Sequence, residues 1–307
     1  MKEYAWVPAK ATDFQTGTTT MAWTLRYASH LGYRSPQMPL FPASVGSLDP
    51  VAHVGFAAEL GFAGVQYALA CSRPVSEQDQ VAKALARHGL ETGCVVYTTP
   101  EKFTAPLWAT ADADSRAVLT SELAAAFDVA KRVNSRYVVV LSGADPRRPL
   151  PDQRAAMAEN LRWAAPLAEK AGVTILLESI NRRNVPNLLL HHISDSLDVV
   201  KAVDHAAVRL IFDTGHVQAM DGDLLAHLDA CWDGLAIVQI ADNPGRLEPG
   251  TGEINFATIL GHLHRRKFAG LIELEHHWSA PGAEVERRGI EYLRRLDREL
   301  AATVVRP

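Results

Sequence analysis

Polar side chains end four of the apolar runs in the second half of the chain. They are Glu178 in "ILLESIN", Asp213 in "RLIFDTGH", Gln239 in "IVQIAD" and Glu275 in "LIELEHHW". Carboxylate and amide oxygens suit Mg²⁺ or Mn²⁺, whereas a structural Zn²⁺ site favours Cys and His. A divalent cation also offsets the cost of holding three carboxylates charged in one partly dry pocket. These residues predict one divalent-metal site, with Mn²⁺ as the first choice and Mg²⁺ or Co²⁺ as alternatives.

These side chains become neighbours only if the runs that carry them end at one place. Short apolar runs recur eight times, with amphipathic stretches between them: 20–26, 64–70, 92–98, 136–142, 173–180, 208–213, 235–241 and 270–275. Most are continuously apolar, as expected of parallel strands that are covered on both faces. The pattern predicts an α/β fold, a single (β/α)8 TIM barrel over residues 1–307 with a peripheral extension at residues 1–19. The alternative is an open doubly wound sheet, but no GxGxxG motif follows the first run.

Local helix signals agree with this architecture. In "LDPVAHVGFAAELG", Asp49 is the expected cap, Pro50 takes the first helical position and Gly61 follows the end. The run "EVERRGIEYLRRLDREL" places leucine and isoleucine on one helical face. Pro166 lies inside "AENLRWAAPLAEKAG", so that helix is expected to be kinked or to begin later than its pattern suggests.

Composition limits the classes of function. Lys and Arg total 31 against 35 Asp and Glu, a net charge of −4, so no broad positive field favours nucleic acid or an anionic membrane. Three cysteines without a CxxC spacing fit a reducing compartment and packing roles. We expect a cytoplasmic protein with a small-molecule substrate. The long connections 27–48 and 99–112 are candidate lids or contacts of a homo-oligomer.

Three segments of the C-terminal half carry a family resemblance. The stretches "IFDTGHVQAMDGDL", "VQIADNPGRLEPGTGEINF" and "GLIELE" resemble hydroxypyruvate isomerases of the xylose-isomerase-like superfamily, most closely over residues 175–280. The resemblance implies a (β/α)8 barrel and one divalent metal held by Glu178, Asp213, Gln239 and Glu275. It also favours Glu275 over its neighbour Glu273 as the last ligand.

The same resemblance implies that His216 and Arg246 contact substrate oxygens. For Arg246, which lies in a Gly- and Pro-rich loop, simple solvation is an equally good interpretation. Further candidates for substrate contact are Asn184 after strand five, Trp108 in the strand-three loop and His277 after the last strand. The chain departs from the family pattern at Ile237, where a His is frequent, and at 276–278, where His-His-Trp replaces an aromatic-Lys-Pro run.

The arrangement predicts proton transfer through an enediolate. Glu178 and Glu275 end strands five and eight, on opposite sides of the mouth, so one takes a proton and the other returns one, in an order that stays open. Return to the neighbouring carbon gives aldose–ketose isomerisation, and return to the other face of the same carbon gives epimerisation. A lyase or dehydratase acting on a keto-sugar or keto-cyclitol is the alternative. An endonuclease, which would need several metals and further His ligands, and a non-catalytic binding protein are remote alternatives.

Overall fold

The computed structural model describes residues 22–303, so the expected extension at residues 1–19 lies outside the described part of the chain. Every hydrogen-bonded strand pair is parallel. The strands are β1 Tyr27–His30, β2 Gly64–Gln66, β3 Glu91–Thr92, β4 Val95–Val96, β5 Tyr137–Val140, β6 Thr174–Leu177, β7 Val208–Asp213, β8 Leu235–Ile240 and β9 Ile272–Leu274.

The sheet closes on itself into a barrel. Its order is β3-β2-β1-β9-β8-β7-β6-β5-β4, so β3 and β4 stand at its two edges. These two strands follow one another in the chain with only Gly93 and Cys94 between them, and a parallel bridge joins Thr92 of β3 to Ser135, just before β5. When β3 and β4 are counted as one strand, the barrel has eight strands, which confirms the predicted (β/α)8 barrel.

Helices cover the outside of the barrel. They are α1 Pro42–Val45, α2 Pro50–Glu59, α3 Val75–His88, α4 Pro100–Phe103, α5 Ala113–Arg132, α6 Leu150–Ala171, α7 Ile193–Val203, α8 Thr214–Met220, α9 Leu224–Cys231, α10 Phe256–Arg265 and α11 Ala283–Thr303. The buried leucine and isoleucine face of α11 (Ile290, Leu293, Leu296, Leu300) belongs to the core between sheet and helices. None of the helices within residues 22–303 combines the length and the apolar character needed to cross a bilayer.

The first strand begins later than the sequence predicts. The prediction of a first strand at residues 20–26 is wrong, because the structure has β1 at Tyr27–His30 and no strand at residues 22–26. The backbone N–H groups of Thr24 and Leu25 donate to the carboxylate of Asp297 on α11 instead of to a neighbouring strand. The carboxylate of Asp297, far along the chain, therefore accepts hydrogen bonds from backbone N–H groups that would otherwise pair with a neighbouring strand.

Of the two predictions made from local helix signals, the one for α2 is confirmed and the late start of α6 is not. Asp49 caps α2 by accepting from the backbone N–H of Val51, as predicted. The late start predicted from Pro166 is wrong, since α6 runs without a break through that residue. An internal proline costs a helix about 3 kcal/mol, and here the buried Ala164, Ala165 and Ala168 hold the helix against the barrel on both sides of it.

Candidate active site

The four strand-end residues continue the inward-facing rows of the barrel. Leu176, Ile211 and Ile237 belong to the small apolar cluster inside the barrel. Side chains two positions apart on a strand point to the same side, so Glu178, Asp213 and Gln239 also point inward, one step nearer the mouth. On β9 the same alternation relates Glu273 to Glu275. All of these acids and the amide are buried.

A bulge in β8 sets which residue stands beside Asp213. Leu210 pairs with Leu235, but Ile211 pairs with Ile237, so Ala236 is an extra residue in β8. Without this offset Asp213 would be level with Val238, whereas in the structure it is level with Gln239. The guanidinium of Arg209 donates to the backbone oxygen of Leu235 at 2.8 Å, next to the bulge. A one-residue offset exchanges the two faces of a strand, and here it turns the Gln239 side chain inward.

Arg246 joins two of the carboxylates. Its guanidinium donates to both carboxylate oxygens of Asp213, at 3.0 and 2.9 Å, and to Oε1 of Glu275 at 2.7 Å. Only 8% of the residue is exposed, so the solvated interpretation of this loop arginine is wrong. Its bonds to Asp213 and Glu275 hold the guanidinium at the mouth of the barrel, although the loop that carries Arg246 is rich in Gly and Pro.

Glu178, Asp213 and His216 form a buried group that could hold a cation. Among the described residues these three offer ligand atoms that all lie within 4.8 Å of one another. Oε1 of Glu178 lies 3.6 Å from Nε2 of His216, beyond hydrogen-bond distance, and has no hydrogen-bond partner. An unpartnered buried carboxylate oxygen costs free energy unless something else, such as a cation, coordinates it.

A lower layer of polar residues lies beneath the mouth, and the sequence analysis missed most of it. Glu273 accepts from Nε2 of Gln239 at 2.9 Å, from Nε2 of Gln66 at 3.0 Å and from the backbone N–H of Cys94 at 2.9 Å. Gln66 also donates to Oε2 of Glu275 at 2.5 Å. Glu273 is thus saturated with donors inside the barrel, while Glu275 stands one step nearer the mouth. The available signal for Gln66 was a polar residue in the otherwise apolar run "VQYALA".

This lower layer also orients the amide of Gln239. The amide nitrogen of Gln239 donates to Oε2 of Glu273, and Oε1 of Gln239 is left without a hydrogen-bond partner. The oxygens of Glu178 and Gln239 without partners are hard donors of the kind that Mg²⁺ and Mn²⁺ prefer. The residues present therefore fit a divalent cation.

Burial dominates the protonation of the site. It raises the pKa of Glu178 well above its ordinary value, with further contributions from the charges of Glu275 and Asp213. It also raises the pKa of Glu275 to about 7, against the opposing effect of Arg246. Burial lowers the pKa of His216 to about 3, so its imidazole is neutral. Burial by itself would raise the pKa of Asp213, but the guanidinium of Arg246 and the hydrogen bond from the backbone N–H of His216 outweigh it and keep the pKa below its usual value.

A cleft of about 210 Å³ opens above these residues. The loops after β1, β6, β8 and β9 line it together with helix α8: Arg34, Asn181, Arg183, Asn184, Gly215, Ala219, Asp242, Asn243, Gly245, Arg246 and His277. The carboxylate of Asp242 is taken up by the backbone N–H groups of Asn243, Gly250, Gly252 and Ile254. Arg34 and Arg183 make no ion pair with any described residue. The cleft therefore offers positive charge to an anionic ligand.

Of the three further candidates for substrate contact, two line the cleft and one does not. Asn184 and His277 line the cleft, and the ring of His277 stacks on Tyr33 and lies 2.7 Å from its hydroxyl. Trp108 does not line the cleft; it is fully buried in the outer core against Tyr97. Its position favours packing, and direct contact with substrate stays a prediction.

Comparison with known proteins agrees with this geometry. Residues 54–296 match the model of the xylose isomerase-like TIM barrel family, and the chain belongs to that family. It is 29% identical to hydroxypyruvate isomerase from Escherichia coli over 75% of this chain and 89% of that protein. It is 28% identical to 2-oxo-tetronate isomerase from Pectobacterium atrosepticum over 72% of this chain and 84% of that protein. The protein is thus an enzyme of the sugar isomerase and epimerase class.

A solved structure shares the fold at lower sequence similarity. A protein from Brucella melitensis described as an AP endonuclease of family 2 superposes with a TM-score of 0.73. The two chains are 24% identical, over 88% of this chain and 98% of the other. At that identity the similarity concerns the barrel and does not transfer the activity.

Proposed function

We propose that the protein is a divalent-metal-dependent isomerase of a small 2-keto acid that carries a hydroxyl on the neighbouring carbon, as in hydroxypyruvate. One observation carries this proposal. The site buries four carboxyl groups, those of Glu178, Asp213, Glu273 and Glu275, whereas Arg246 is the one buried Arg or Lys residue of residues 22–303. Such an excess of acid in a dry site is costly without a cation.

The metal would be held by Glu178, Asp213, Gln239 and Glu275, with Mn²⁺ as the first choice. When bound, the metal supplies Lewis-acid stabilisation of negative charge on adjacent substrate oxygens. Oδ2 of Asp213 and Oε1 of Glu275 each accept one bond from Arg246 and keep a second lone pair for the metal. The unpartnered oxygens of Glu178 and Gln239 support this ligand set.

Glu178 and Glu275 would move the proton. Glu275, with a pKa raised by burial to about 7, suits a group that both accepts and returns a proton near neutral pH. Glu178 lies on the other side of the site and performs the complementary transfer. Arg246 orients Glu275 through its 2.7 Å bond and stabilises negative charge on the substrate. The buried setting excludes water and strengthens these interactions.

The charge of the cleft supports an acid as substrate. Arg34 and Arg183 line the cleft and form no salt bridge with a described residue, although the charge of Arg183 helps to lower the pKa of Glu253. A substrate carboxylate placed there would pair with them through charge-assisted hydrogen bonds. The names of the two relatives, hydroxypyruvate isomerase and 2-oxo-tetronate isomerase, favour the same class.

The proposal is tested by incubating the Mn²⁺-loaded enzyme in deuterated water with ketoses, 2-keto acids and keto-cyclitols. We expect hydroxypyruvate to be converted to its 2-hydroxy-aldehyde isomer, with deuterium at the carbon that receives the proton. A product that has lost a hydroxyl would show a lyase instead. No conversion of any compound by enzyme of verified metal content would refute the proposal.

A further inference from the structure

We propose that Asn181 fixes the tautomer of His216, so that the ring carries its proton on Nε2 and presents an N–H donor to the substrate. The role of that donor in turnover rests on the function proposed above. The tautomer itself rests only on the contacts of two side chains, and it can be measured without any substrate.

The amide orientation of Asn181 is determined by the chain that follows it. Oδ1 of Asn181 accepts the backbone N–H groups of Arg183 and Asn184, both at 3.0 Å. Rotating the amide by half a turn would set its NH₂ group against these two donors. The amide nitrogen of Asn181 therefore has to point the other way.

That amide nitrogen lies against the imidazole of His216. Nδ2 of Asn181 is 2.8 Å from Nδ1 of His216. Nδ2 can only donate, so Nδ1 is the acceptor and has no proton. A second donor, NH1 of Arg246, lies 3.5 Å from the same ring nitrogen. A neutral imidazole whose Nδ1 accepts carries its proton on Nε2.

This tautomer decides what His216 can do. Nε2 faces Glu178 Oε1 at 3.6 Å. A protonated Nε2 has no lone pair for a metal, and the lone pair of Nδ1 is used by Asn181. His216 therefore acts as a neutral hydrogen-bond donor toward a substrate oxygen, although it is close enough to Glu178 and Asp213 to be counted with them as a metal ligand. Asn181 is a positioning residue.

The test is a long-range ¹H–¹⁵N spectrum of histidine-labelled protein loaded with Mg²⁺, which is diamagnetic. The chain has 12 histidines, so the His216 signals are assigned from their loss in a His216→Gln variant. We expect a proton on Nε2 and none on Nδ1 at neutral pH. A proton on Nδ1, or a shift showing a metal on Nε2, would overturn the inference.

Two variants separate this role from a structural one. Asn181→Asp keeps an oxygen for the backbone N–H groups but presents an acceptor to Nδ1, so we expect the proton to move to Nδ1 and turnover to fall at least tenfold. Asn187→Asp adds the same charge to an exposed position of the same loop and should change neither the tautomer nor turnover. An unchanged tautomer in the Asn181 variant, or a changed one in the control, would count against the proposal. If the Asn181 variant fails to fold, the wild-type spectrum still decides.

Discussion

At the scale of single residues, Arg246 shows how this site balances its charge. Its guanidinium holds Asp213 and Glu275 together, while Glu178 has no arginine or lysine partner among the described residues. Removing one member of a buried ion pair leaves the other charge uncompensated, which typically costs about 3–5 kcal/mol. The arginine therefore stabilises the acids in the folded protein and also orients Glu275, one of the two groups proposed to move the proton.

Replacing either proposed proton-transfer acid tests the mechanism. We expect Glu178→Gln and Glu275→Gln each to lower turnover by roughly 10²–10⁴-fold, the range of general acid–base catalysis. Because the amide is isosteric, the folded structure should persist. The measurements are turnover of hydroxypyruvate and thermal unfolding by circular dichroism. Glu284→Gln, an exposed change on α11, serves as the control and should retain wild-type activity. A near-normal rate in either active-site variant would contradict the two-acid mechanism.

The arginines on the rim of the cleft should determine preference for an acid. We expect Arg34→Gln and Arg183→Gln each to raise the KM for a 2-keto acid roughly tenfold, equal to about 1.4 kcal/mol, without raising it for an uncharged ketose. Arg182→Gln changes an exposed arginine of the same loop that does not line the cleft and should leave both values unchanged. Steady-state kinetics with both substrates measures the difference. Equal effects on the two substrates would show that charge recognition lies elsewhere.

At the scale of elements, the interruption between β3 and β4 makes room for the lower layer. Gly93 lies so close to Glu273 that a Cβ there would be 2.2 Å from Oε1 of that carboxylate and 3.0 Å from the Cα of Gln66. The backbone N–H of Cys94, beside it, donates to Glu273. The interruption at Gly93 and Cys94 thus leaves space for the carboxylate of Glu273 inside the barrel and provides one of the N–H groups that donate to it.

Two glycine substitutions test this account. We expect Gly93→Ala to lower the free energy of unfolding by about 1–3 kcal/mol, the usual cost of overpacking, and to weaken Mn²⁺ binding by displacing Glu273 from Gln239. Gly55→Ala, inside α2 with nothing within 4 Å of the added methyl group, should stabilise the protein by about 0.5–1 kcal/mol. Urea unfolding and calorimetric Mn²⁺ titration measure the two effects. Equal stability of both variants would argue against a tightly filled interior at Gly93.

At the scale of the whole molecule, the proposed metal site would link folding to ligand binding. Its proposed ligands come from β6, β7, β8 and β9 and the residues directly after them, so the site exists only when half of the barrel is assembled. A cation that binds the folded state alone stabilises it by mass action, by about 2.7 kcal/mol at a hundredfold excess over its Kd.

Metal removal should therefore change stability as well as activity. We expect treatment with EDTA to abolish turnover, Mn²⁺, Mg²⁺ or Co²⁺ to restore it, and Mn²⁺ to raise the Tm by several degrees in a concentration-dependent way. In the Glu178→Gln variant the rise in Tm should be much smaller, since one ligand has lost its charge. Calorimetric unfolding across a Mn²⁺ series measures this. Full activity in a sample verified to be free of metal would exclude a metal-dependent mechanism.

Much of this architecture could be predicted from the sequence, because it depends on short-range patterns. The continuously apolar runs indicated eight parallel staves, and the Asp49-Pro50 pair indicated the start of α2. The polar residues that end β7 and lie near the end of β8 were recognisable because they interrupt or follow these runs. Composition and periodicity are local properties, and they were sufficient to name Asp213 and Gln239 as candidates.

Contacts between distant residues decided the rest. The bulge at Ala236 turns Gln239 rather than Val238 toward Asp213, and Asp297, far along the chain, keeps residues 24–25 out of the first strand. Arg246, in a loop, is buried where it pairs with two carboxylates, one at the end of β7 and one directly after β9. Strand register and charge pairing depend on which partners the closed barrel brings together, and no local stretch of sequence contains that information.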